Sequence, residues 1–261
     1  MFKKNKQEKK YELILIFLYF LFAAFLSLSI KANYLVSIFL FAGIPSLYLS
    51  IRNPKIIKKT ILYSFFAGLP ITFLTDYLAH VSHSWYEPSV IGVRVLNTFP
   101  IDLFIWAFFY IYFIVAFYEY FFDKDRNKKN FSHNTKYLFL LVASLLSIFG
   151  IIYSLNKELL VVRYFYIIFI VTAFIIPSVL VLYRYPRLLK KIVLQGLYFF
   201  VLSIIVEFTA LQLGQWFFIG NNYIGFIEIF KIRFPLEELL WLIFAVPAYL
   251  CLYEYFADDR K

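Results

Sequence analysis

The sequence predicts an all-α, polytopic membrane protein of about eight transmembrane helices, arranged as two parallel four-helix repeats. The first observation is composition: 62% of the 261 residues are hydrophobic and only 16% are charged, far from the balance of a water-soluble domain. The second is the recurrence of apolar stretches of about 20 residues, the length that crosses a hydrocarbon core. The third is an internal repeat.

Apolar runs predict where the helices cross the membrane. The first run is too long for the hydrophobic region of a signal peptide, and no small-residue cleavage site follows it, so we expect it to be retained as a span. The predicted spans cover residues 12–30, 33–51, 60–79, 100–122, 137–155, 164–183, 192–211 and 235–256.

The basic residues alternate between the predicted loops. Of 26 Lys and Arg, about 20 fall in the two termini and in the loops after the second, fourth and sixth spans. This positive-inside pattern predicts a multi-pass protein of the cell (inner) membrane with both termini in the cytoplasm. The excess favours contact with anionic lipid headgroups and gives no support to a nucleic-acid partner.

An internal repeat links the two halves of the chain. Asp76 precedes Trp85 by nine residues, and Glu207 precedes Trp216 by nine, with both pairs displaced by 131 positions. Four helices return the chain to its starting side, so the repeats are predicted to be parallel, with domains at 1–130 and 131–261. Further matches, displaced by 135 positions, are Pro100 and Pro235, Asp102 and Glu237, and the two "YEYF" stretches at 118–121 and 253–256.

Three carboxylic acids follow a proline at the start of a predicted apolar helix. "FPIDLFIW" contains Asp102, and "FPLEELLW" contains Glu237 and Glu238. One interpretation is an ordinary helix start, because proline suits the first position and the helix dipole favours acids there. The other is a functional site, because ionisable groups at membrane depth are costly and the feature occurs in both halves.

Asp76 and Glu207 lie near the external end of the third helix of each repeat. Such acids are typical either of solvated or salt-bridged helix ends or of a buried site. Trp85 and Trp216 are typical of interfacial belts; alternatively, their ring faces line a cavity and stabilise a cation. Glu119 and Glu254, between tyrosines at the cytoplasmic ends, are expected to be interfacial anchors.

No cofactor signature is found in the sequence. Cys251 is the lone cysteine, and no CxxC, HExxH or GxGxxG occurs, so neither a metal nor a nucleotide or flavin cofactor is predicted. His80 and His83 are three residues apart, but the second half has no matching histidine and no third ligand is evident.

These elements together resemble the lycopene cyclase domain of heterodimeric or fused membrane carotenoid cyclases. The matching stretches run over residues 76–106 and 207–241, with Gly92 and Gly225 in register. The family is likewise built from two related halves, so the resemblance covers most of the chain.

The resemblance implies a non-redox reaction on a lipophilic isoprenoid, the closure of a linear carotenoid ψ-end into a ring. A neutral carboxylic acid protonates the terminal alkene, the next alkene closes the ring, and a base removes a proton. We expect Glu237 to be the donor, Glu238 to tune it or act as base, and Asp102 to be the counterpart from the first half. The other expected site residues are the acids Asp76 and Glu207, and the substrate-binding residues Trp85, Trp106, Trp216 and Trp241.

The sequence departs from the family pattern at three positions. Leu103 stands where the first half would carry its second carboxylate, Glu207 replaces a usual Asp, and Trp241 replaces a usual Phe. Only the second half carries the full motif, which predicts one active centre at the interface of the halves.

Two other functions fit the same residues. A proton-coupled transporter or isoprenoid-binding protein would also place acids within parallel repeats. A carotenoid hydratase would form the same cation and let water capture it. Co-expression with a lycopene-producing pathway separates the three, because ring closure leaves the mass unchanged and hydration adds the mass of water.

Overall fold

The structure is a computed structural model that describes residues 6–123 and 132–258. Within these two ranges, eight helices are long and apolar enough to cross a membrane, as the sequence predicted, which indicates a membrane protein. The helices are α1 (Lys6–Ser29), α2 (Tyr34–Arg52), α3 (Pro54–Val81), α4 (Asp102–Asp123), α5 (Thr135–Leu155), α6 (Phe165–Arg184), α7 (Pro186–Gln212) and α8 (Leu236–Ala257).

Helices α4 and α8 form the centre of the bundle. Helix α4 packs against α2, α3 and α8, while α8 also packs against α6 and α7. In the most apolar 18-residue stretch of α4, 67% of the residues are buried, whereas only 17% are buried in that of α5. Most of the large apolar side chains of α5 are therefore exposed. Exposed leucine, isoleucine and phenylalanine on outer helices are the surface expected to face lipid.

Short π-helical turns precede prolines within three of the helices. Phe39–Gly43 ends just before Pro45, Ser64–Gly68 just before Pro70, and Ile170–Ile175 just before Pro177. Proline lacks the amide hydrogen that an α-helix needs at that position, and a wider turn accommodates the missing bond. The helices therefore continue through these prolines.

Each of the two loops that precede α4 and α8 contains an antiparallel hairpin. Strand β1 (Arg94–Val95) pairs with β2 (Phe99–Pro100), and β3 (Phe226–Ile229) pairs with β4 (Ile232–Pro235). Both turns have two consecutive residues with positive φ, the geometry of a type I′ turn. The turn residues are Leu96 and Asn97 in the first hairpin and Phe230 and Lys231 in the second.

A buried ion cluster joins α3, α4, α7 and α8 at the end of the bundle opposite these hairpins. The ammonium group of Lys59 lies 2.9 Å from Glu119 Oε1 and 2.8 Å from Asp258 Oδ1, and that of Lys191 lies 2.7 Å from Asp123 Oδ1. The side chains of Glu119, Asp123 and Asp258 are fully buried, so these ion pairs are shielded from water.

Two tyrosines cross-link α4 and α8 within this ion cluster. Tyr118 of α4 donates a hydrogen bond to Glu254 of α8, and Tyr253 of α8 donates one to Glu119 of α4. Glu119 and Glu254 are both fully buried, so they are not the exposed interfacial anchors that the sequence suggested.

Candidate functional site

A cavity lies between the central helices on the side of the two hairpin loops. Its volume is about 140 Å³, roughly ten times the ~10–15 Å³ that one water molecule needs. Nearly half of the side chains that line it are aromatic, and all four tryptophans of the chain are among them. Four carboxylic acids also line it, namely Asp76, Glu87, Glu207 and Glu238.

Two of these acids, Glu207 of α7 and Glu238 of α8, each accept a hydrogen bond from an aromatic side chain. Glu207 accepts a hydrogen bond of 3.0 Å from Trp216 Nε1, and Glu238 accepts one from the hydroxyl of Tyr166. The carboxyl groups of Glu207 and Glu238 both line the cavity and are close enough to interact with each other. Two ionised carboxylates in a dry cavity repel each other, which favours a proton on one of them. The cavity is therefore suited to hold a carboxylic acid.

The other two acids come from α3 and the loop that follows it. Asp76 accepts a hydrogen bond of 2.9 Å from Trp85 Nε1, the same arrangement as Glu207 and Trp216. Glu87 is only 6% exposed although it lies in the loop. Burial, the largest cause, and the nearby charge of Asp76 raise the pKa of Glu87 well above its usual range, and Arg94 partly opposes this.

Aromatic rings form much of the cavity wall. The ring of Trp85 lies 4.7 Å from that of Tyr166 and 5.8 Å from that of Trp241, both in edge-to-face contact. The rings of Tyr34 and Trp216 are 6.3 Å apart. Indole and phenol faces attract a cation without supplying a nucleophile, so this wall suits a carbocation more than a water-filled channel.

Asp102 and Glu237 are buried outside the cavity lining, where they hold the hairpin loops. Asp102 accepts hydrogen bonds from the backbone N–H of Ile91 at 3.2 Å and from the hydroxyl of Ser89. Glu237 accepts one of 2.6 Å from the backbone N–H of Ile224. In each half, the acid two residues after the proline thus fixes the start of the preceding hairpin.

The two loops meet and cover the cavity. We call residues 82–101 and 213–235 the roof. Tyr86 and Phe217 exchange two backbone hydrogen bonds of 2.9 Å, which join the loops as a short antiparallel bridge. Tyr223 donates a hydrogen bond of 2.5 Å to the carbonyl oxygen of Ser84. Burial raises the pKa of Tyr223 to about 12, so its hydroxyl stays a donor at neutral pH.

Gly220 is needed where the two loops touch. A Cβ at this position would lie 2.1 Å from the carbonyl oxygen of His83, so the roof must open to admit it. We expect Gly220→Ala to destabilise the protein by about 1–3 kcal/mol. Thermal unfolding in detergent, followed by tryptophan fluorescence, measures this. Gly225→Ala is the matched control, because a Cβ there meets nothing within 4 Å; equal stability of the two variants would contradict the close approach.

Of the nine side chains predicted for the site, seven line the cavity and two do not. Those in the cavity are Asp76, Trp85, Trp106, Glu207, Trp216, Glu238 and Trp241. Sequence reasoning missed Glu87 and the tyrosines Tyr34 and Tyr166. Tyr34 and Tyr166 are 132 positions apart, close to the displacement of 131 between the two repeats, and this correspondence could have identified them.

Known proteins do not identify the chain. No protein-family model matches it, and no curated protein or solved structure matches it at a significant level.

Proposed function

We propose that the protein is a membrane cyclase that closes the linear end group of a carotenoid such as lycopene into a ring, without redox change. The observation that carries this proposal is one cavity lined by four buried carboxylic acids and all four tryptophans. Acids provide proton transfer and indoles stabilise the cation between the two transfers. The resemblance of the motifs to the lycopene cyclase domain supports the same reaction.

The proposed donor is Glu238, with Glu207 as its partner. The carboxyl proton adds to the terminal alkene of the substrate and leaves a tertiary cation on the neighbouring carbon. The electron pair of the next alkene forms the ring bond, and the cation moves into the ring. A carboxylate then takes a ring proton, whose bonding electrons become the new double bond. One proton is added and one is lost, so the product is an isomer of the substrate.

Glu238 replaces Glu237 in this role because of where the two side chains lie. Glu238 lines the cavity together with Glu207, whereas Glu237 binds the backbone of the loop at Ile224. Tyr166 and Trp216 position the pair by donating one hydrogen bond to each acid. A general acid must reach the alkene that it protonates, so the residue at the cavity wall is favoured as the donor.

The arrangement in the membrane follows from the same proposal. Two parallel four-helix units, 1–130 and 131–261, would bring equivalent acids to one depth. The positive-inside pattern supports a cell-membrane location with both termini in the cytoplasm and the roof on the other face. The roof would keep water from the cation, and the lipid-facing helices suit a substrate dissolved in the bilayer. The proposed chemistry uses side chains alone.

Co-expression with a lycopene-producing pathway tests the function. We expect cyclised carotenoid of unchanged mass, identified by chromatography and mass spectrometry. Unchanged lycopene beside well-expressed, membrane-inserted protein would refute lycopene cyclisation and favour a proton-coupled transporter or isoprenoid-binding protein. A product heavier by one water would identify a hydratase instead.

A further inference from the structure

A second cavity lies between α2, α3 and α4 and shares no lining residue with the cavity that holds the four acids. Its lining side chains come from within residues 43–50 of α2, 57–61 of α3 and 108–112 of α4, and its volume is about 310 Å³. We call it the lateral groove. Two of its side chains, Leu47 and Ile61, are 61% and 40% exposed, so the groove opens toward the lipid.

Small side chains on α2 leave this groove open. Gly43 and Ser50 both line it. At the displacement of 132 positions that separates the prolines of α2 and α6, they correspond to Ile175 and Leu182. These two larger side chains pack against the hydrophobic core. The first half of the chain therefore has open space at positions where the second half has bulky apolar groups.

The polar groups of the lateral groove are satisfied within the protein. Ser46 Oγ donates a hydrogen bond of 3.4 Å to the carbonyl oxygen of Phe109, and Ser50 Oγ donates one of 2.7 Å to that of Ser46. The hydroxyl of Tyr112 lies 2.6 Å from Ser50 Oγ and forms a hydrogen bond with it. The other lining residues are apolar, so the groove presents a hydrocarbon surface. Within a membrane, such a surface binds its partner by close packing, which suits an acyl chain.

The length of the lateral groove matches one leaflet of a bilayer. Gly43 lies nine residues before Arg52, the last residue of α2. At a rise of about 1.5 Å per residue, the groove extends about 14 Å along the helix. Half of a hydrocarbon core of about 30 Å is nearly the same distance. An acyl chain in the groove would therefore start at the end of the bundle opposite the hairpins and stop near the bilayer centre.

Two lysines lie at that end of the lateral groove, in the first turns of α3. Lys55 and Lys58 flank Ile57, which lines the groove, and both are exposed. Neither forms an ion pair with a carboxylate in the part of the chain that the structure describes. The positive end of the α3 dipole lies at the same place. This end of the groove is therefore complementary to a negatively charged headgroup.

We propose that the lateral groove binds one anionic phospholipid, with an acyl chain in the groove and the phosphate at Lys55 and Lys58. This inference goes beyond the proposed cyclase function and does not depend on it. The groove selects for a chain by its shape, and the lysines select for net negative charge.

The test uses the full chain, purified in detergent, freed of lipid and titrated with dioleoylphosphatidylglycerol. A ligand that binds the folded state raises the midpoint of thermal unfolding until its site is filled. We expect saturation, with one lipid retained in native mass spectrometry. Lys55→Gln and Lys58→Gln should each weaken the affinity about fivefold. Lys190→Gln is the matched control, because Lys190 is exposed and corresponds to Lys58 in the second half; its affinity should be unchanged.

Two variants that fill the lateral groove test the binding of the chain. Ser50→Leu introduces into α2 the residue that α6 carries at Leu182, and Ile61→Trp adds a large ring at an exposed position. We expect dioleoylphosphatidylglycerol to stabilise neither variant, although both unfold cooperatively without lipid. Ile61→Trp leaves the hydrogen bond between Ser50 and Tyr112 in place, so it separates filling of the groove from loss of that bond.

Three results would each overturn the proposal. The first is unchanged affinity in Ser50→Leu and Ile61→Trp. The second is equal stabilisation by dioleoylphosphatidylcholine, which has the same chains but no net charge. The third is equal stabilisation by inorganic phosphate alone, which would indicate an anion site at the lysines with no chain in the lateral groove.

Discussion

Glu238→Gln is expected to reduce conversion of the carotenoid end group by about 100-fold or more, the contribution typical of a positioned general acid. Glutamine fits the same space and still accepts the hydrogen bond from Tyr166, but it has no acidic proton to give to an alkene. Product yield, normalised to the amount of folded protein in the membrane, measures the effect.

Glu237→Gln is the decisive comparison, because the two adjacent glutamates differ in what they touch. A glutamine at this position keeps an oxygen that accepts the hydrogen bond from the N–H of Ile224, so the loop stays anchored and conversion should persist. Loss of conversion in Glu237→Gln together with full activity in Glu238→Gln would return the donor role to Glu237.

Lys59→Ala is expected to produce the largest loss of stability, about 3–5 kcal/mol. Lys59 is buried and pairs with Glu119 and Asp258. Carboxylate oxygens of Glu119, Asp123 and Asp258 lie within 4.8 Å of one another, so removing the ammonium leaves like charges facing each other in a dry environment. The midpoint of thermal unfolding in detergent, followed by tryptophan fluorescence, reports the change.

Two further variants show whether the loss comes from unpaired charge. Lys58 is exposed, so Lys58→Ala should change the free energy of unfolding by no more than about 0.5 kcal/mol. Lys59→Met combined with Glu119→Gln removes one charge of each sign and should be less harmful than Lys59→Met alone. An equal loss of stability in Lys59→Met and in the double variant would mean that packing, not charge, makes Lys59 important.

The helices could be predicted from the sequence because hydrocarbon thickness fixes their length. All eight predicted spans correspond to helices, although α1, α3 and α7 begin about six residues earlier than expected, at Lys6, Pro54 and Pro186. Residues 54–59 and 186–191 include basic side chains, so the apolar pattern did not extend to them, although proline suits the first turn of a helix. The hairpins were not predicted, because their turns contain Leu96–Asn97 and Phe230–Lys231 in place of the usual Asn-Gly or Asp-Gly.

The candidate site was only partly predictable from the sequence, because the direction of each side chain depends on the fold. A motif such as Pro-x-Glu-Glu shows that acids lie at the start of a helix, but not which of them faces the loop and which faces the cavity. Adjacent helical residues point about 100° apart, so Glu237 and Glu238 have different partners. Glu87 was not singled out because a loop acid is ordinarily exposed, and only the folded roof buries it.

The reciprocal bonds of Tyr118 and Tyr253 have a practical consequence for genetic engineering. Each tyrosine completes its hydrogen bond on the other central helix, and Lys59 binds acids from both. A gene cut within codons 124–131 would yield two polypeptides that share two ion pairs, because Asp123 of the first binds Lys191 of the second and Asp258 of the second binds Lys59 of the first. Such fragments should find each other in the bilayer, so the protein could be supplied from two separately regulated genes.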